Sequence, residues 1–586
     1  MRATSRRWAW AGLVSAGLGA ASCAHGPSAK QAVVARPPAH VRLLTVNDFH
    51  GQLPAGKKQF GRPAGSAGVL MSWLLASRAG AEDHAVLVSA GDLVGASPPA
   101  SALLQDEPAV SLLNRFANDA CHSMAVGAPK GTPIPPELDP RFAPWLDPSC
   151  NVVATVGNHE FDEGRAELLR LLLGGNHLRG PFLEGPWPGA RYPTLAANVI
   201  DHATGKPILP PYVVKAVDGV KVGFIGVVVK DVPHLVSPAG VAGLDFLDEA
   251  EAVNRYVPVL RAQGVRAIVV VAHQGGEQPP YVGQTREGGA VEGDILDLVG
   301  RLDPEVDVVV AAHTHAFLNA RLPAQGGKAV LVVEAYSAGT AFGWVDLVVD
   351  RQSGDVTASS AAVQVAYADE GPGQTPDRLA AALQSAAEAR VAPLTQRVVA
   401  TAAREVGRRT TEAGESPLGD LVADAQRGAF PDAEVALMNP GGIRTELPGG
   451  TINWGQVFAA QPFGNDLVAM TLTGAELRAV LEEQWSAASE PRILQVSGLA
   501  YSWSESARPG AKLRAVSVGG APLDPARRYR VVVNGFLAGG GDGFGRFGAG
   551  ADRIVGPSDL DALVKHLGTL PQPFEAPAGG RIRLEP

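Results

Sequence analysis

The sequence predicts an α/β fold in two domains. Short Val-rich runs recur along the first 333 residues, helical stretches lie between several of them, and a polar segment rich in Gly and Pro interrupts the chain at residues 366–376. Apolar runs of this length are typical of strands buried on both faces of a sheet, and their alternation with helices is typical of α/β proteins. The predicted strands occupy residues 41–46, 85–90, 151–156, 220–229, 267–272, 306–312 and 329–333, and the clearest helices occupy residues 166–173 and 248–262.

The break at residues 366–376 marks the predicted boundary between the two domains. An Ala- and Leu-rich helix is expected directly after it, from residue 377 to about residue 391. We therefore expect a first domain at residues 41–365, a linker and helix at residues 366–391, and a second domain at residues 392–586.

Composition places the chain among globular proteins and argues against a nucleic-acid duplex as its partner. Of the 586 residues, 46% are hydrophobic and 19% are charged, a balance that excludes disordered and collagen-like chains. The formal net charge is −9, whereas binding to a nucleic-acid backbone requires clustered Lys and Arg side chains. An anionic substrate stays compatible with this charge if bound metal ions make its site locally positive.

The N-terminus predicts export. Three arginines precede an apolar run at residues 8–21 that is too short to span a bilayer, a pattern typical of a signal peptide at residues 1–22. A Ser-Arg-Arg triplet favours a twin-arginine signal, and the Ala-Ala-Ser-Cys sequence that ends at Cys23 is similar to a lipoprotein cleavage site. We expect an exported protein of the periplasm or cell envelope, with a disordered tether at residues 23–40. Whether a lipidated Cys23 anchors it to the membrane is left open. The alternative is a cytosolic protein.

The remaining two cysteines, Cys121 and Cys150, are expected to form a disulfide. Two thiols in an oxidising compartment favour pairing. The bridge would close a Pro-rich loop at residues 121–150 and stabilise the fold by about 3–4 kcal/mol. The alternative is a pair of free buried thiols.

A candidate metal ligand follows a predicted strand at five places in the first domain. In open α/β sheets, ligands bind beyond the carboxyl ends of the strands, so these five loops can converge on one site. A single His or Gly-Asp pair indicates little, but the joint occurrence at consecutive strand ends indicates a metal site. The loops are Asn47-Asp48-Phe49-His50-Gly51, Gly91-Asp92, Gly157-Asn158-His159-Glu160-Phe161-Asp162, Ala272-His273-Gln274-Gly275 and Ala312-His313-Thr314-His315.

The types of side chain in these loops indicate which ions they suit. Carboxylates, imidazoles and an amide without thiolates favour Zn, Mn, Fe or Co. Seven ligands are too many for one ion, whereas two divalent ions that share a bridging carboxylate fit the number and are typical of phosphatases and nucleases.

These motifs resemble the metallophosphoesterase domain of the secreted 5′-nucleotidases. Motifs in the second half resemble the substrate-binding domain of that family, and together the motifs extend over about residues 41–550. The resemblance implies a four-layer α/β/β/α sandwich, a smaller α/β C-terminal domain and a hinge rotation between them. The second-half motifs are Asn439-Pro440-Gly441-Gly442-Ile443-Arg444, Pro462-Phe463-Gly464-Asn465 and Asn534-Gly535-Phe536 followed by Gly541-Asp542-Gly543-Phe544.

The resemblance also implies a role for each site residue. His159 would stabilise charge on the phosphoryl group or leaving oxygen, and Asp162 would orient its ring; the alternative for Asp162 is an acid favoured by a helix N-terminus. Two dications would activate water for in-line displacement without a phosphoenzyme. One ion would be held by Asp48, His50, Asp92 and His315, and the other by Asp92, Asn158, His273 and His313.

In the second domain, the resemblance implies a nucleotide pocket. Phe463 and Phe536 would stack on the two faces of the base, which suits any base; the alternative is that both rings belong to the core. The other implied substrate-binding residues are Asn439 for the base, Asp542 for the ribose, Arg408 and Arg444 for phosphate, and Asn465.

Two departures from the family pattern bear on the substrate. Glu412 occupies a position where the family usually has a second phosphate-binding Arg, four residues after Arg408. The segment at residues 121–150 is an insert, which we expect to form part of the active-site rim and to limit substrate size.

Three functions are compatible with these observations. The first is an exported dimetal phosphohydrolase that releases phosphate from nucleotides. The second keeps this chemistry but acts on a 2′,3′-cyclic nucleotide, a nucleotide sugar or a sulfur-linked ester, for which Glu412 is the support. The third is a noncatalytic binding protein, against which the full set of seven ligands and His159 argues.

Overall fold

The computed structural model describes residues 36–125, 134–135, 138–286, 288–485 and 491–585. The predicted signal peptide, Cys23 and most of the predicted tether lie outside these residues. From Pro38 onward the chain forms one compact unit. Among the helices of the described residues, none is both long and apolar enough to cross a bilayer.

The first half of the chain forms two six-stranded sheets. Sheet I consists, in spatial order, of strands Val356–Val365, Ala341–Val349, Ala39–Val46, Ala85–Ala90, Val152–Thr155 and Thr194–Leu195, the last four being parallel. Sheet II consists of Phe317–Pro323, Ala329–Ala335, Val308–Val310, Ala267–His273, Val220–Val228 and Tyr212–Val217, with its four central strands parallel. All seven predicted strands are present.

Alternation along the strands of sheet I produces two separate cores. Leu43 and Val88 point into the core shared with sheet II, whereas the neighbouring Leu44 and Leu87 pack under the helices on the outer face. This two-residue period is expected because successive side chains of a strand point to opposite faces.

Helices cover the outer face of each sheet, which gives four layers. Leu70, Leu112 and Leu168 bring three helices onto sheet I, and Leu260 and Leu298 bring two onto sheet II. The helix that packs on strand Val220–Val228 of sheet II begins where predicted, because the Asp248 side chain accepts the backbone N–H of Glu251. The helices of this half are Ala67–Arg78, Pro99–Ala102, Glu107–Phe116, Arg165–Leu173, Val232–Leu235, Glu249–Ala262 and Ile295–Gly300.

The predicted linker helix is present and packs on the first half. It spans Arg378–Thr395 and begins after Asp377, whose side chain accepts the backbone N–H of Ala380. Ala380 and Ala387 are buried with the helices that cover sheet I.

The second half is a smaller α/β unit built around sheet III. Its strands, in spatial order, are Gln495–Ser497, Val435–Met438, Arg528–Asn534, Asp466–Thr473 and Ala551–Ser558. A four-stranded sheet of Ala521–Pro522, Leu513–Val518, Leu499–Ser504 and Ile582–Glu585 lies beside it, and Val398–Ala402 pairs with Gly450–Asn453. The helices are Pro417–Gly428, Trp454–Ala460, Gly474–Glu482, Gly535–Ala538 and Asp559–Thr569.

Small strands complete the fold. They are Lys58–Gln59 paired with Arg62–Pro63, and Leu244–Phe246, Val199–Asp201 and Lys206–Pro207 in a three-stranded sheet.

Candidate active site

The candidate metal ligands converge where sheets I and II meet. Asp48, Asp92 and Asn158 follow parallel strands of sheet I, and His273 and His313 follow parallel strands of sheet II. Because the two sheets face each other, their carboxyl ends open into the same crevice. The structure thus brings together loops that are up to 267 residues apart in the chain, from Asp48 to His315.

The ligand atoms form two groups that share Asp92. Those of Asp48, His50, Asp92 and His315 all lie within 4.8 Å of one another, and those of Asp92, His273 and His313 do so as well. Asn158 joins the second group, since its Oδ1 lies 3.1 Å from His273 Nε2.

Hydrogen bonds from the outer ring nitrogens orient two of the imidazoles. His50 Nδ1 lies 2.9 Å from the carbonyl oxygen of Gly95, and His273 Nδ1 lies 2.9 Å from that of Ala90. When Nδ1–H donates to a carbonyl, Nε2 is the atom free to bind a metal. Consistent with this, His50 Nε2 lies 3.1 Å from His315 Nε2, and His273 Nε2 lies 3.3 Å from Asp92 Oδ2.

The donor set fits divalent ions. Two fully buried carboxylates face four imidazoles and one carboxamide, a mixture of oxygen and nitrogen donors that suits Zn, Mn, Fe or Co. Although burial opposes the charge on Asp48, the imidazoles of His315 and His273 lower its pKa to about 2. Burial, reinforced by His273, lowers the pKa of His313 to about 4, which keeps this imidazole neutral, as a metal ligand must be.

Left-handed backbone conformations turn these side chains into the crevice. The φ angles are 47° at Asp48, 48° at His50, 47° at Asp92, 81° at His313 and 58° at His315. Residues other than Gly rarely adopt this region, and such strained positions cluster at functional sites. The strand-end motifs identified these residues as candidate ligands. Nothing in the motifs indicates that the backbone at these positions is strained.

Two buried polar residues that the sequence prediction missed hold the ligand loops in place. Glu160 accepts the backbone N–H groups of Asp92 at 3.0 Å and Leu93 at 2.9 Å. Burial, together with the charge of Asp92, raises the pKa of Glu160 to about 7. Asn47 donates to Asp48 Oδ2 at 2.7 Å. Both residues lie within the strand-end motifs. The position of Glu160, an acid next to candidate ligands, was the sequence signal that could have identified it as part of the site.

His159 and Asp162 form a hydrogen-bonded pair beside the ligand groups. His159 Nδ1 lies 2.8 Å from Asp162 Oδ2, and the backbone N–H of His159 donates to Asp92 Oδ1 at 2.9 Å. Burial favours the neutral ring, but the charges of Asp162 and Asp92 outweigh it and raise the pKa of His159. The arrangement leaves His159 Nε2 as the ring atom able to act on a ligand.

One cavity of about 330 Å³ joins this site to the second half of the chain. Its wall contains most of the predicted site residues from both halves. Those from the first half are Asp92, Asn158, His159, Asp162, His313 and His315, and those from the second are Asn439, Arg444, Phe463, Asn465, Phe536 and Asp542.

The two phenylalanines lie in the cavity wall and not in the core. Both are partly buried, and Phe536 packs only at the edge of the core of the second half. The ring of Phe463 stacks on that of His159, with centroids 5.8 Å apart and planes 14° apart. The Arg444 guanidinium lies 6.0 Å from the centroid of Phe463.

Three polar residues of the second half, at the ends of two strands of sheet III and in the loop after helix Gly535–Ala538, form a chain of hydrogen bonds along the cavity. Asn534 Nδ2 donates to Asn439 Oδ1 at 2.9 Å, and Asn439 Nδ2 donates to Asp542 Oδ2 at 2.8 Å. Burial raises the pKa of Asp542. Asn534 carried no predicted role, although it precedes Phe536 in a quoted motif.

Two predicted substrate-binding residues are engaged elsewhere. Arg408 lies outside the cavity wall, donates to the carbonyl of Ile443 at 2.9 Å and lies 3.6 Å from Glu446. Asn465 lines the cavity, but its side chain also reaches Asp559 Oδ2 at 3.4 Å.

The sequence placed the negative charge of Glu412 where a phosphate-binding Arg is usual, but the structure shows a different set of charges near Arg444. Glu412 is exposed and is not part of the cavity wall, so it does not place a negative charge in the pocket. Instead, Lys57 from the first half interacts with both arginines: desolvation and the charges of Arg408 and Arg444 lower its pKa. Nothing in the sequence pattern singled out Lys57.

The expectation that the 121–150 insert forms the active-site rim is wrong for the described part of the insert. Cys121 and Cys150 form the predicted disulfide and are buried. Cys150 precedes strand Val152–Thr155, so the insert joins the sheet at the amino end, opposite the site. Trp145 Nε1 donates to the carbonyl of Ala190 at 3.1 Å, and none of the described insert residues lines the cavity.

The four-layer sandwich, its strand-end ligand groups and the attached α/β unit together have the architecture of a two-domain metallophosphoesterase. Comparisons with known proteins agree. Residues 41–317 match the family model described as calcineurin-like phosphoesterase, and residues 395–549 match that described as 5′-nucleotidase, C-terminal domain. The chain therefore contains a calcineurin-like phosphoesterase domain followed by a 5′-nucleotidase C-terminal domain.

Individual relatives share most of this chain. Endonuclease YhcR of Bacillus subtilis (strain 168) is 34% identical over 94% of the chain, and Cell wall protein Lmo0130 of Listeria monocytogenes serovar 1/2a is 34% identical over 86%. The chain spans 41% and 64% of the lengths of these two relatives. The crystal structure of a 5′-nucleotidase precursor from Thermus thermophilus matches with a TM-score of 0.72 and 28% identity, covering 93% of this chain and 100% of that one.

Proposed function

We propose that this protein releases phosphate from nucleoside 5′-monophosphates with two bound divalent ions. The observation that carries the proposal is the shared cavity, in which candidate metal ligands and His159 face Phe463, Phe536 and Asp542. Its volume of about 330 Å³ is at the small end of the range for small-molecule sites, as expected for one mononucleotide.

Seven side chains would hold the two ions. Asp48, His50, Asp92 and His315 would bind one, and Asp92, Asn158, His273 and His313 the other, with Asp92 bridging. Divalent ions bound here would polarise the phosphoryl oxygens and lower the pKa of the attacking water.

The chain itself supplies a proton donor and a countercharge. Asp162 engages His159 Nδ1 and stabilises the protonated ring, so Nε2 can donate to the leaving oxygen. The Arg444 guanidinium, in the wall of the same cavity, would balance charge on the phosphoryl group. Asp162 therefore acts through His159, as a positioning residue.

The nucleoside would occupy the part of the cavity formed by the second half of the chain. Phe463 and Phe536 would stack on the base, Asn439 would bond its edge, and Asp542 would accept the ribose hydroxyls. Asn465 and Arg408 complete the proposed binding residues. Arg408 lies outside the cavity wall and would contribute its positive charge at the border of the site.

We also propose that the protein is exported. The N-terminal pattern, the disulfide between Cys121 and Cys150 and the name of the Listeria relative, a cell wall protein, support this assignment. Membrane anchoring through Cys23 is part of the same proposal. Fractionation of cells that express the full chain, followed by detection in the envelope or the cytosol, tests it.

A substrate panel tests the function. Metal-loaded protein should release phosphate from 5′-AMP faster than it acts on a 2′,3′-cyclic nucleotide, a sulfur-linked ester, or single-stranded or duplex DNA. The DNA arms address the endonuclease name of the Bacillus relative. Asp92→Asn, which removes the shared carboxylate, is the control and should abolish release. Preference for any other member of the panel would replace the proposed substrate while keeping the chemistry.

A further inference from the structure

The two imidazoles that are oriented through Nδ1 depend on carbonyl groups of different kinds. His273 Nδ1 lies 2.9 Å from the carbonyl oxygen of Ala90, which belongs to a strand paired on both sides within sheet I. His50 Nδ1 lies 2.9 Å from the carbonyl oxygen of Gly95, which lies in a loop. The sheet fixes the first carbonyl, whereas the second needs support from elsewhere in the fold.

Asp106 supplies this support. Its Oδ2 accepts the backbone N–H of Gly95 at 3.2 Å, across eleven positions of the chain. Asp106 directly precedes helix Glu107–Phe116, and an Asp at this position usually accepts an N–H of the first helical turn. No such bond to the described residues of that helix is present. The side chain therefore serves the loop and not its own helix.

The backbone of the segment at residues 95–106 is strained at both ends. The φ angles are 77° at Gly95, 48° at Ala96, 53° at Gln105 and 53° at Asp106. Residues other than Gly keep such angles only where the surrounding structure holds them, and these positions cluster at functional sites. The contacts of the segment therefore fix its conformation.

The same segment packs closely on two parts of the active site. A Cβ atom added at Gly95 would lie 2.6 Å from His159 Cβ and 2.8 Å from Asp162 Oδ2. One added at Gly51, directly after a candidate ligand, would lie 2.5 Å from Ser97 Oγ. A shift of the segment would therefore displace a metal ligand and press on the proposed proton donor.

We propose that Asp106 is a positioning residue for the metal site. By accepting the Gly95 N–H it holds the Gly95 carbonyl on His50, and it thereby sets the affinity for the ion that His50 would bind. This inference rests on the proposed function, because it concerns one of the two ions of that site. The other ion, whose ligand His273 is oriented by a strand carbonyl, does not depend on Asp106.

Metal titration of the full chain, prepared free of metal, tests the proposal. Asp106→Gly removes the carboxylate, and Gly readily adopts the positive φ of this position. Asp552→Gly is the matched control, since it makes the same change at an exposed residue of the second half with a φ of 51°. Competition with a chelating dye for Mn or Zn should show one of the two binding steps weakened about 10- to 100-fold in Asp106→Gly. Both steps should be unchanged in Asp552→Gly.

A conservative variant and a double-variant cycle separate positioning from a general effect on the fold. Asp106→Asn, whose amide oxygen can still accept the Gly95 N–H, should bind both ions within about threefold of the wild type. His50→Ala should weaken the same step as Asp106→Gly, and the double variant should be no weaker than His50→Ala alone. If Asp106→Gly weakens both steps equally, or still weakens binding in the His50→Ala background, the proposal is wrong.

Hydrogen exchange provides a readout that needs no metal. The Gly95 amide should exchange faster in metal-free Asp106→Gly than in the wild type or Asp106→Asn, and equal rates would overturn the proposal. Asp106→Ser is the second variant if Asp106→Gly does not fold, because Ser suits the start of a helix but is too short to reach Gly95. The same selective loss of one ion is expected. A wild type that binds two ions but releases no phosphate from AMP would contradict the proposed function, whereas the titrations would still decide the role of Asp106.

Discussion

Replacing Phe463 by Ala should selectively weaken the use of substrates that contain a base. In the structure, its partly buried ring lies in the cavity wall and stacks on His159 at 5.8 Å. Stacking of an aromatic side chain on a base contributes about 1–3 kcal/mol. Loss of this contact corresponds to a decrease of roughly 5- to 150-fold in kcat/KM for AMP.

The assay compares AMP with ribose 5-phosphate, which has the same phosphate ester but no base. Phe463→Ala should lower kcat/KM for AMP by the stated factor and that for ribose 5-phosphate much less. Phe60→Ala removes a phenylalanine that is 61% exposed and outside the cavity wall, and it should change neither value. An equal loss with both substrates would show that Phe463 acts by supporting His159 and not by stacking on the base.

Three further predictions concern charge, stability and catalysis. Burial lowers the pKa of Lys215 from 10.5 to about 7. Below pH 7 the buried ammonium therefore lowers the free energy of unfolding by the full amount, and this destabilisation decreases as pH rises toward 10.5. Lys215→Met should therefore stabilise the fold by about 3 kcal/mol more at pH 6.5 than at pH 9.5; denaturant unfolding at the two values measures this, and a stabilisation that grows with pH contradicts it. Cys121→Ser, which breaks the bridge to Cys150, should lower stability by about 3 kcal/mol without changing metal content, since the described insert lies away from the site; loss of metal in folded protein would contradict this. Asp162→Asn should reduce kcat about 10- to 100-fold with a smaller effect on KM, because His159 loses its orienting acid; steady-state kinetics with AMP check this, and an effect confined to KM would count against the role.

The parallel strands of the first half could be predicted from sequence because their residue pattern is simple. Parallel strands that are buried on both faces consist of nearly continuous apolar residues, and the run at 267–272 became strand Ala267–His273. The end of each run is also where a parallel sheet exposes its ligands, so strand prediction and site prediction reinforced each other. Antiparallel edge strands such as Val356–Val365, with partly exposed faces, lack this signal.

Contacts between distant segments could not be predicted in the same way. Lys57 and Arg444 lie 387 positions apart, and their proximity depends on how the two halves pack. For the same reason, the exposed position of Glu412 outside the cavity was not evident from its place in a motif. The error about the insert has a different cause: a segment that precedes a parallel strand enters at the end opposite the site.

The local geometry of the ligands was also beyond the sequence. Glu160 is one of three polar side chains in a row of motif residues, and only the fold shows that it accepts backbone N–H groups and does not face the cavity. The positive φ angles at Asp48 and Asp92 likewise depend on the surrounding structure, since nothing about Asp itself requires them.

The central claim is that two ions sharing Asp92 carry out phosphate release from a nucleotide. The most direct measurement determines metal content and AMP hydrolysis on the same samples, for the wild type and Asp92→Asn, after loading with Mn or Zn. The account predicts two ions per chain and phosphate release in the wild type, and fewer ions with no release in Asp92→Asn. Full activity in Asp92→Asn, or in protein stripped of metal by a chelator, would contradict it.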